Sequence, residues 1–195
     1  MTVRVPKKRN NNKIINDSIS IYNNILNNPI TRVYIQTLSK ILQDCKLRKR
    51  KVFIAGNGGS SSIASHVSVD LTKVVGVKCF NFNEHNLITC FTNDYGQENW
   101  LKKALELYSN KEDLIILISS SGKSKNIINA AKFCKKRGNE TIGLSGFDKN
   151  NALSKIVNHS FWVDSKAYNI IENIHQIILL ISCDAVLGNI YYNSN

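Results

Sequence analysis

The run Val52-Phe53-Ile54-Ala55-Gly56-Asn57-Gly58-Gly59-Ser60-Ser61-Ser62 is echoed further on by Leu114-Ile115-Ile116-Leu117-Ile118-Ser119-Ser120-Ser121-Gly122-Lys123-Ser124. Each begins as a short apolar strand, passes into small hydroxyl and glycine residues, and then enters a helical pattern. Small residues let main-chain N–H groups and hydroxyls crowd round one anion at a helix N-terminus, where the partial positive charge of the helix favours it. Two such turns in one chain point to a phosphorylated small molecule.

The remaining pattern alternates in the same way. Helices are predicted over 13–27 and 31–47, with Pro29 breaking between them. Strand 51–55 feeds helix 60–74, and strand 77–82 follows. Glu84 to Gly96 reads as a short helix and loop, leading to a helix over 97–109. Strand 113–119 feeds helix 124–137, strand 140–145 comes after Gly138, and strand 158–163 follows a short helical turn. The last helix is predicted over 168–191, with Ile170, Ile174, Ile177, Ile178 and Ile181 at helical spacing. Strands alternating with helices predict an α/β fold, a parallel sheet covered on both faces. With 195 residues and 43% hydrophobic content, one domain with a full core is expected: 1–12 as a basic, disordered tail and 13–195 as the domain, N-terminal helices included.

Composition narrows the function classes. No uninterrupted apolar run reaches the roughly 20 residues of a membrane span, and the first residues lack the apolar stretch of a secretion signal, so a cytoplasmic protein without a membrane partner is expected. Cysteines 45, 79, 90, 134 and 183 are odd in number and dispersed, which suits reduced core thiols rather than a disulfide frame or zinc knot. A net charge of +12 raises the question of nucleic acid. The basic clusters at Lys7-Lys8-Arg9, Lys46 to Lys51 and Lys135-Lys136-Arg137 fall in a tail, at a helix end and at a turn, without interleaved aromatics. Attraction of an anionic substrate, or solubility, accounts for the charge better.

Two nucleotide motifs fail on spacing. A dinucleotide fingerprint needs a third glycine where Ser61 stands after Gly56 and Gly58. Gly122-Lys123-Ser124 imitates the end of a P-loop, but the first glycine would have to be Leu117. No nucleotide cofactor is expected.

Gly56-Asn57-Gly58-Gly59-Ser60 with His66 and Asp70, then Asn93-Asp94-x-Gly96, then Ser119-Ser120-Ser121-Gly122-x-Ser124 occur in one order. In that combination the chain resembles the sugar isomerase (SIS) domain of the phosphoheptose isomerase type, over about residues 14–190. The resemblance implies a three-layer sandwich round a five-stranded parallel sheet, a homo-oligomer that is a tetramer with shared sites, and an aldose–ketose isomerisation. The implied reaction takes sedoheptulose 7-phosphate to an aldoheptose 7-phosphate for surface polysaccharide, lipopolysaccharide or capsule.

The resemblance also implies roles for particular residues. Ser119, Ser121 and Ser124, with the backbone round Ser120, match the phosphate cradle. Asn57, Gly58 and Gly59, followed by Ser60, match the sugar-contacting turn, and Asn93 with Asp94 match a loop touching sugar hydroxyls. Serine is also a preferred helix cap, but a cap needs one serine and four fall between Ser119 and Ser124. Asn93-Asp94 could equally form an ordinary Asx turn.

At the proton-transfer end the match is looser. His66 and Asp70, four apart on a predicted helix, share a face and can share a metal, or can be a solvated surface pair. The family carries glutamate at the Asp70 position, as metal ligand and general base, so the carboxylate here is one methylene shorter. On the last helix the family's glutamine and histidine correspond to Glu172 and Leu180; the histidine is missing, while Glu172 restores a carboxylate. His175 lies i+3 from Glu172, as a catalytic group or a structural histidine. His85 lies near the sugar loop and His159 at a strand start. The expected catalytic set is therefore Asp70, Glu172 and His175, with Glu172 also touching substrate. The expected metal set is His66, Asp70 and Glu172, holding zinc weakly or not at all. A non-catalytic phosphosugar-binding or adaptor protein, and an isomerase of another sugar phosphate, stay open as alternatives.

Overall fold

The computed structural model describes residues 11–191. Most of the tail expected over 1–12 lies outside the described residues, and Asn11 and Asn12 open the first helix. In chain order the elements are α1 (Asn11–Leu26), α2 (Pro29–Leu47), β1 (Val52–Ala55), α3 (Gly59–Asp70), β2 (Cys79–Phe80), α4 (His85–Tyr95), α5 (Trp100–Tyr108), β3 (Leu114–Ile118), α6 (Lys125–Arg137), β4 (Thr141–Ser145), β5 (His159–Trp162) and α7 (Tyr168–Leu187).

The five strands form one parallel sheet in the order β2-β1-β3-β4-β5. Every residue of β1, β3 and β4 is buried, as a sheet covered on both faces requires. Strand alternation sorts their side chains into two cores. Val52, Ile54, Leu114, Ile116 and Ile118 join Leu38, Ile63, Leu71, Ile174 and Ile178, from α2, α3, the turn that follows it, and α7. Phe53, Ala55, Ile115 and Leu117 join Leu101, Leu105, Ile127 and Ala131, from α5 and α6. The result is the expected three-layer α/β sandwich.

Where the structure departs from the predicted boundaries, local chemistry explains it. Pro29 opens α2 instead of preceding it: at that position its missing N–H costs no helical bond, and Asn28 caps the helix by accepting from the Ile30 N–H at 3.0 Å. Beyond Asp70 the helix widens into a π-turn over Leu71–Val75, closed by Gly76 at φ 78°. The last helix stops at Leu187 because Gly188, at φ 78°, takes the left-handed conformation.

Three packing facts bear on function. By length and composition α7 could cross a membrane, unlike anything in the sequence judged by uninterrupted runs; its Ile170, Ile171, Ile174, Ile178 and Leu179 are instead buried in the core. Helix α1 buries no residue and exposes Ile14, Ile15 and Ile19. Of the five free cysteines all but Cys90 are buried, and burial raises the Cys45 thiol to about 11, well out of reactive range.

The sheet order also places the site. From β1 the chain goes to one side for β2, then crosses to the other side for β3. The crevice at the carboxyl ends of β1 and β3 is thus the switch point where open α/β sheets bind ligands. Both turns singled out in the sequence leave from it.

Candidate functional site

The serine turn runs from the end of β3 at Ile118 to Ser124, the residue before α6. Gly122, at φ 63°, donates its N–H to the Ser119 carbonyl at 2.8 Å. The turn is fastened to the end of β4: the Ser119 N–H donates to the Leu144 carbonyl at 3.0 Å, and the Gly146 N–H to the Ser120 carbonyl at 2.8 Å. Ser124 makes no side-chain cap bond; its hydroxyl accepts from Ser119 at 3.1 Å. The Ser121 hydroxyl accepts from the Lys123 N–H at 3.2 Å. Among the described residues the N–H groups of Ser120, Ser121 and Ser124 have no protein partner. The Ser120 hydroxyl, in a residue 5% exposed, has none either. Buried polar groups are nearly always paired, so this orphan cluster at the start of a helix without acidic residues in its first turn suits an anion.

The asparagine–glycine turn after β1 leads into α3. A Cβ at Gly56 would overlap the Ser60 backbone, so that position is held to glycine by close approach, and one at Gly59 would meet the Glu172 carboxylate. Gly58 has φ 54°. Ser60 is buried. Asn57 exchanges two hydrogen bonds with Asn126 of α6, both 2.9 Å.

A cleft of about 610 Å³ opens beside this turn, lined by Asn57, Gly58, Ser61, Asn83, Asn93 and Trp100 among others. Asn83 is fixed by accepting from the Ser61 hydroxyl at 2.7 Å and donating to the Ser65 hydroxyl at 2.6 Å. Asn93 and Asp94, read from the sequence as a loop pair, are in the last turn of α4, where the Asn93 amide donates to Asp94 at 3.0 Å. Asn93 lines the cleft together with Thr89, one turn before it; Asp94 also accepts from the Cys90 thiol. Sequence reasoning passed over Thr89, Thr92, Asn83 and Trp100. The i, i+3 and i, i+4 polar spacing of Thr89, Thr92 and Asn93 was the available signal.

The far end of α3 is arranged differently from the expectation. His66 Nε2 lies 3.5 Å from Asp70, and His66 Nδ1 lies 3.2 Å from the Gln176 side-chain nitrogen. With the amide donating, Nδ1 accepts and the ring proton sits on Nε2, facing Asp70. Glu172 is one turn before Gln176 on α7, and its carboxylate rests on Gly59, two turns before His66 on α3. Leu180 packs on the core. Among the described residues no three His, Cys, Asp or Glu side chains gather closely enough to hold a metal ion. The set His66, Asp70 and Glu172 does not fit zinc, because Glu172 lies beside Gly59, two turns from His66 along α3.

Two residues the sequence reading did not name stand near Asp70: Gln176, through His66, and Asp184, whose carboxyl is raised above its ordinary value by burial and then by the charge of Asp70. With Glu172 and Leu180 they form an i, i+4 stripe on α7 that is polar at every position but Leu180, a legible signal in a largely apolar helix. His175 lies off that stripe and is fully buried. Its Nε2 is 3.2 Å from the Ser145 carbonyl, its Nδ1 has no partner, and burial pushes its pKa down to about 4. It is a neutral core group behind the serine turn and out of reach of a substrate. His85 starts α4 and His159 faces Glu140 at 3.4 Å.

The SIS domain family model matches residues 30–146. A phosphoheptose isomerase of Fusobacterium nucleatum is 34% identical over 142 residues, covering 70% of this chain and 73% of that protein. One of Sulfurimonas denitrificans is 32% identical over 163 residues, 80% of this chain and 83% of that protein. The structure of phosphoheptose isomerase GmhA from Neisseria gonorrhoeae superposes with a TM-score of 0.82 at 22% identity, over 90% of this chain and 96% of that one. Strand order, the two turns and these matches agree: the chain belongs to the SIS domain family, among the relatives of the phosphoheptose isomerases.

Proposed function

We propose that this chain isomerises a ketose phosphate to an aldose phosphate, with sedoheptulose 7-phosphate as substrate, in the cytoplasm. One observation carries the reading: a buried, unpartnered Ser120 hydroxyl and open N–H groups at the end of β3, beside a polar cleft at the end of the neighbouring β1. The serine turn holds the phosphate. The sugar hydroxyls lie against Asn57, Gly58 and Asn93.

In a 7-phosphorylated ketose the reacting carbons are at the far end of the chain from the phosphate. A base remote from the serine turn is therefore required, and Asp70, at the end of α3 with His66 beside it, suits that place better than Glu172, which sits on Gly59. Asp70 takes the proton from the carbon next to the carbonyl while the carbonyl oxygen gains a proton, and it returns that proton to the former carbonyl carbon as the other hydroxyl of the enediol loses its own to become the aldehyde. His66, with its Nε2 proton, keeps Asp70 oriented.

Solvent-deuterium incorporation followed by NMR tests this with wild type, Asp70→Asn and Glu172→Gln. Exchange into sedoheptulose 7-phosphate should fall by at least about 100-fold in Asp70→Asn. Exchange kept in that variant and lost in Glu172→Gln moves the base. Binding without exchange in wild type leaves a phosphosugar-binding protein, the reading that Leu180 in place of the family's histidine favours.

The exposed Ile14, Ile15 and Ile19 of α1, with Ile30 and Val33 of α2, support a homo-oligomer, as a tetramer. Light scattering should give a mass of several chains at micromolar concentration; a stable monomer would refute the assembly.

A further inference from the structure

The two ligand turns belong to different strands, and the backbone pairing of β1 with β3 ends at Ala55 and Leu117, before either turn begins. Beyond that point they are joined by Asn57 and Asn126. Asn57 Nδ2 donates to Asn126 Oδ1 and Asn126 Nδ2 donates to Asn57 Oδ1, both at 2.9 Å, which closes a ring of two amides across 69 positions of sequence. Among the described residues no other side-chain hydrogen bond links the two turns. Asn126 is 7% exposed and is the second residue of α6, so it reaches the ligand turn after β1 from beneath rather than from the cleft. Each amide keeps one free N–H; that of Asn57 belongs to a residue lining the cleft, whereas Asn126 does not line it. The adjoining flank of α6 is fixed separately, where Lys125 pairs with Glu98 and Asn129 donates to the Glu98 carbonyl.

We infer that Asn126 is a positioning residue: it sets the separation and orientation of the phosphate cradle relative to the sugar turn, and holds the Asn57 amide in its working direction. The inference rests on the phosphosugar reading above. If it holds, Asn126 contributes nothing to grip on phosphate by itself. Its loss uncouples the two halves of the site, so that a ligand engaging both halves is affected and one engaging only the cradle is not.

The test uses wild type, Asn126→Ala, Asn57→Ala and the double variant. Inorganic phosphate affinity is measured by calorimetry, and kcat and KM with sedoheptulose 7-phosphate. Misplacement of about 1 Å costs on the order of 100-fold. Asn126→Ala should therefore lower kcat/KM by about 10- to 100-fold, mainly in kcat, while its inorganic phosphate affinity stays within about twofold of wild type. The double variant should be no worse than Asn57→Ala alone, because the pair acts as one unit. Unchanged kcat/KM, additive losses, or phosphate affinity falling in parallel would each overturn the inference, the last by showing a cradle residue or a general loss of folding. Wild type that neither binds inorganic phosphate nor turns over the sugar phosphate would overturn the phosphosugar reading, and this inference with it.

Discussion

The serine turn and the far end of α3 were marked by equally conspicuous residues, yet they are built to different standards. At the serine turn every short-range feature agrees. A buried central strand delivers Ser119 to the carboxyl end of the sheet, Gly122 closes the turn at a positive φ, and backbone bonds to Leu144 and Gly146 fix it to the end of β4. At the far end of α3, Asp70 depends on side chains alone: His66, half exposed, linked to Gln176, with the Asp184 charge facing Asp70 across the two helices. A binding subsite made of backbone tolerates sequence drift, because main-chain N–H groups belong to every residue. A site made of side chains does not: it depends on His66, Gln176 and Asp184 each staying in place round Asp70.

That contrast can be broken from the serine side. Gly122→Ala puts a Cβ into Asn151, which is itself held between Ser145 and Ser154, and forces a left-handed backbone on alanine. The expected result is a loss of about 2 to 4 kcal/mol in stability, read by denaturant unfolding. A variant as stable as wild type would show that the turn is not rigidly fastened.

His175 sharpens the contrast, since it supports the serine side from within the core. Its pKa is about 4 when folded against an ordinary 6.5, so between those values the unfolded chain binds a proton that the folded chain does not. Stability from this group is complete above pH 6.5 and falls as the pH drops towards 4, by on the order of 3 kcal/mol. Melting temperatures measured from pH 7 to 4.5 should show that decline in wild type and a flatter profile in His175→Gln. Equal slopes would mean that the histidine is not buried neutral.

Much of the fold was legible because its punctuation is local. The apolar runs at 52–55, 114–118 and 141–145 gave the three central strands within a residue or two, and Gly76, Gly138 and Gly188 end elements as left-handed glycines do. The edge strand β2 is shorter than the predicted 77–82 because it pairs on one side only, through Cys79 and Phe80. The serine and glycine turns were legible for the same local reason. Contacts across sequence were not: nothing in the chain joins Asn57 to Asn126 or His66 to Gln176 until the sheet and α7 are assembled. His175 looked catalytic because Glu-x-x-His is a functional spacing, but the helix turns it into the core and leaves Glu172 at the surface of α3.

The division of labour between the two ends is tested most directly by titration calorimetry with sedoheptulose 7-phosphate on two variants. Ser119→Ala with Ser124→Ala removes hydroxyls from the cradle; hydrogen bonds to a charged group contribute about 1.5 to 3 kcal/mol each, so affinity should drop by at least about tenfold. Asp70→Asn removes the base and leaves the cradle intact, so its affinity should remain within about threefold of wild type while turnover is lost. Unchanged affinity in the double serine variant, or an equal loss of affinity in Asp70→Asn, would contradict the assignment of phosphate to the serine turn and proton transfer to the end of α3.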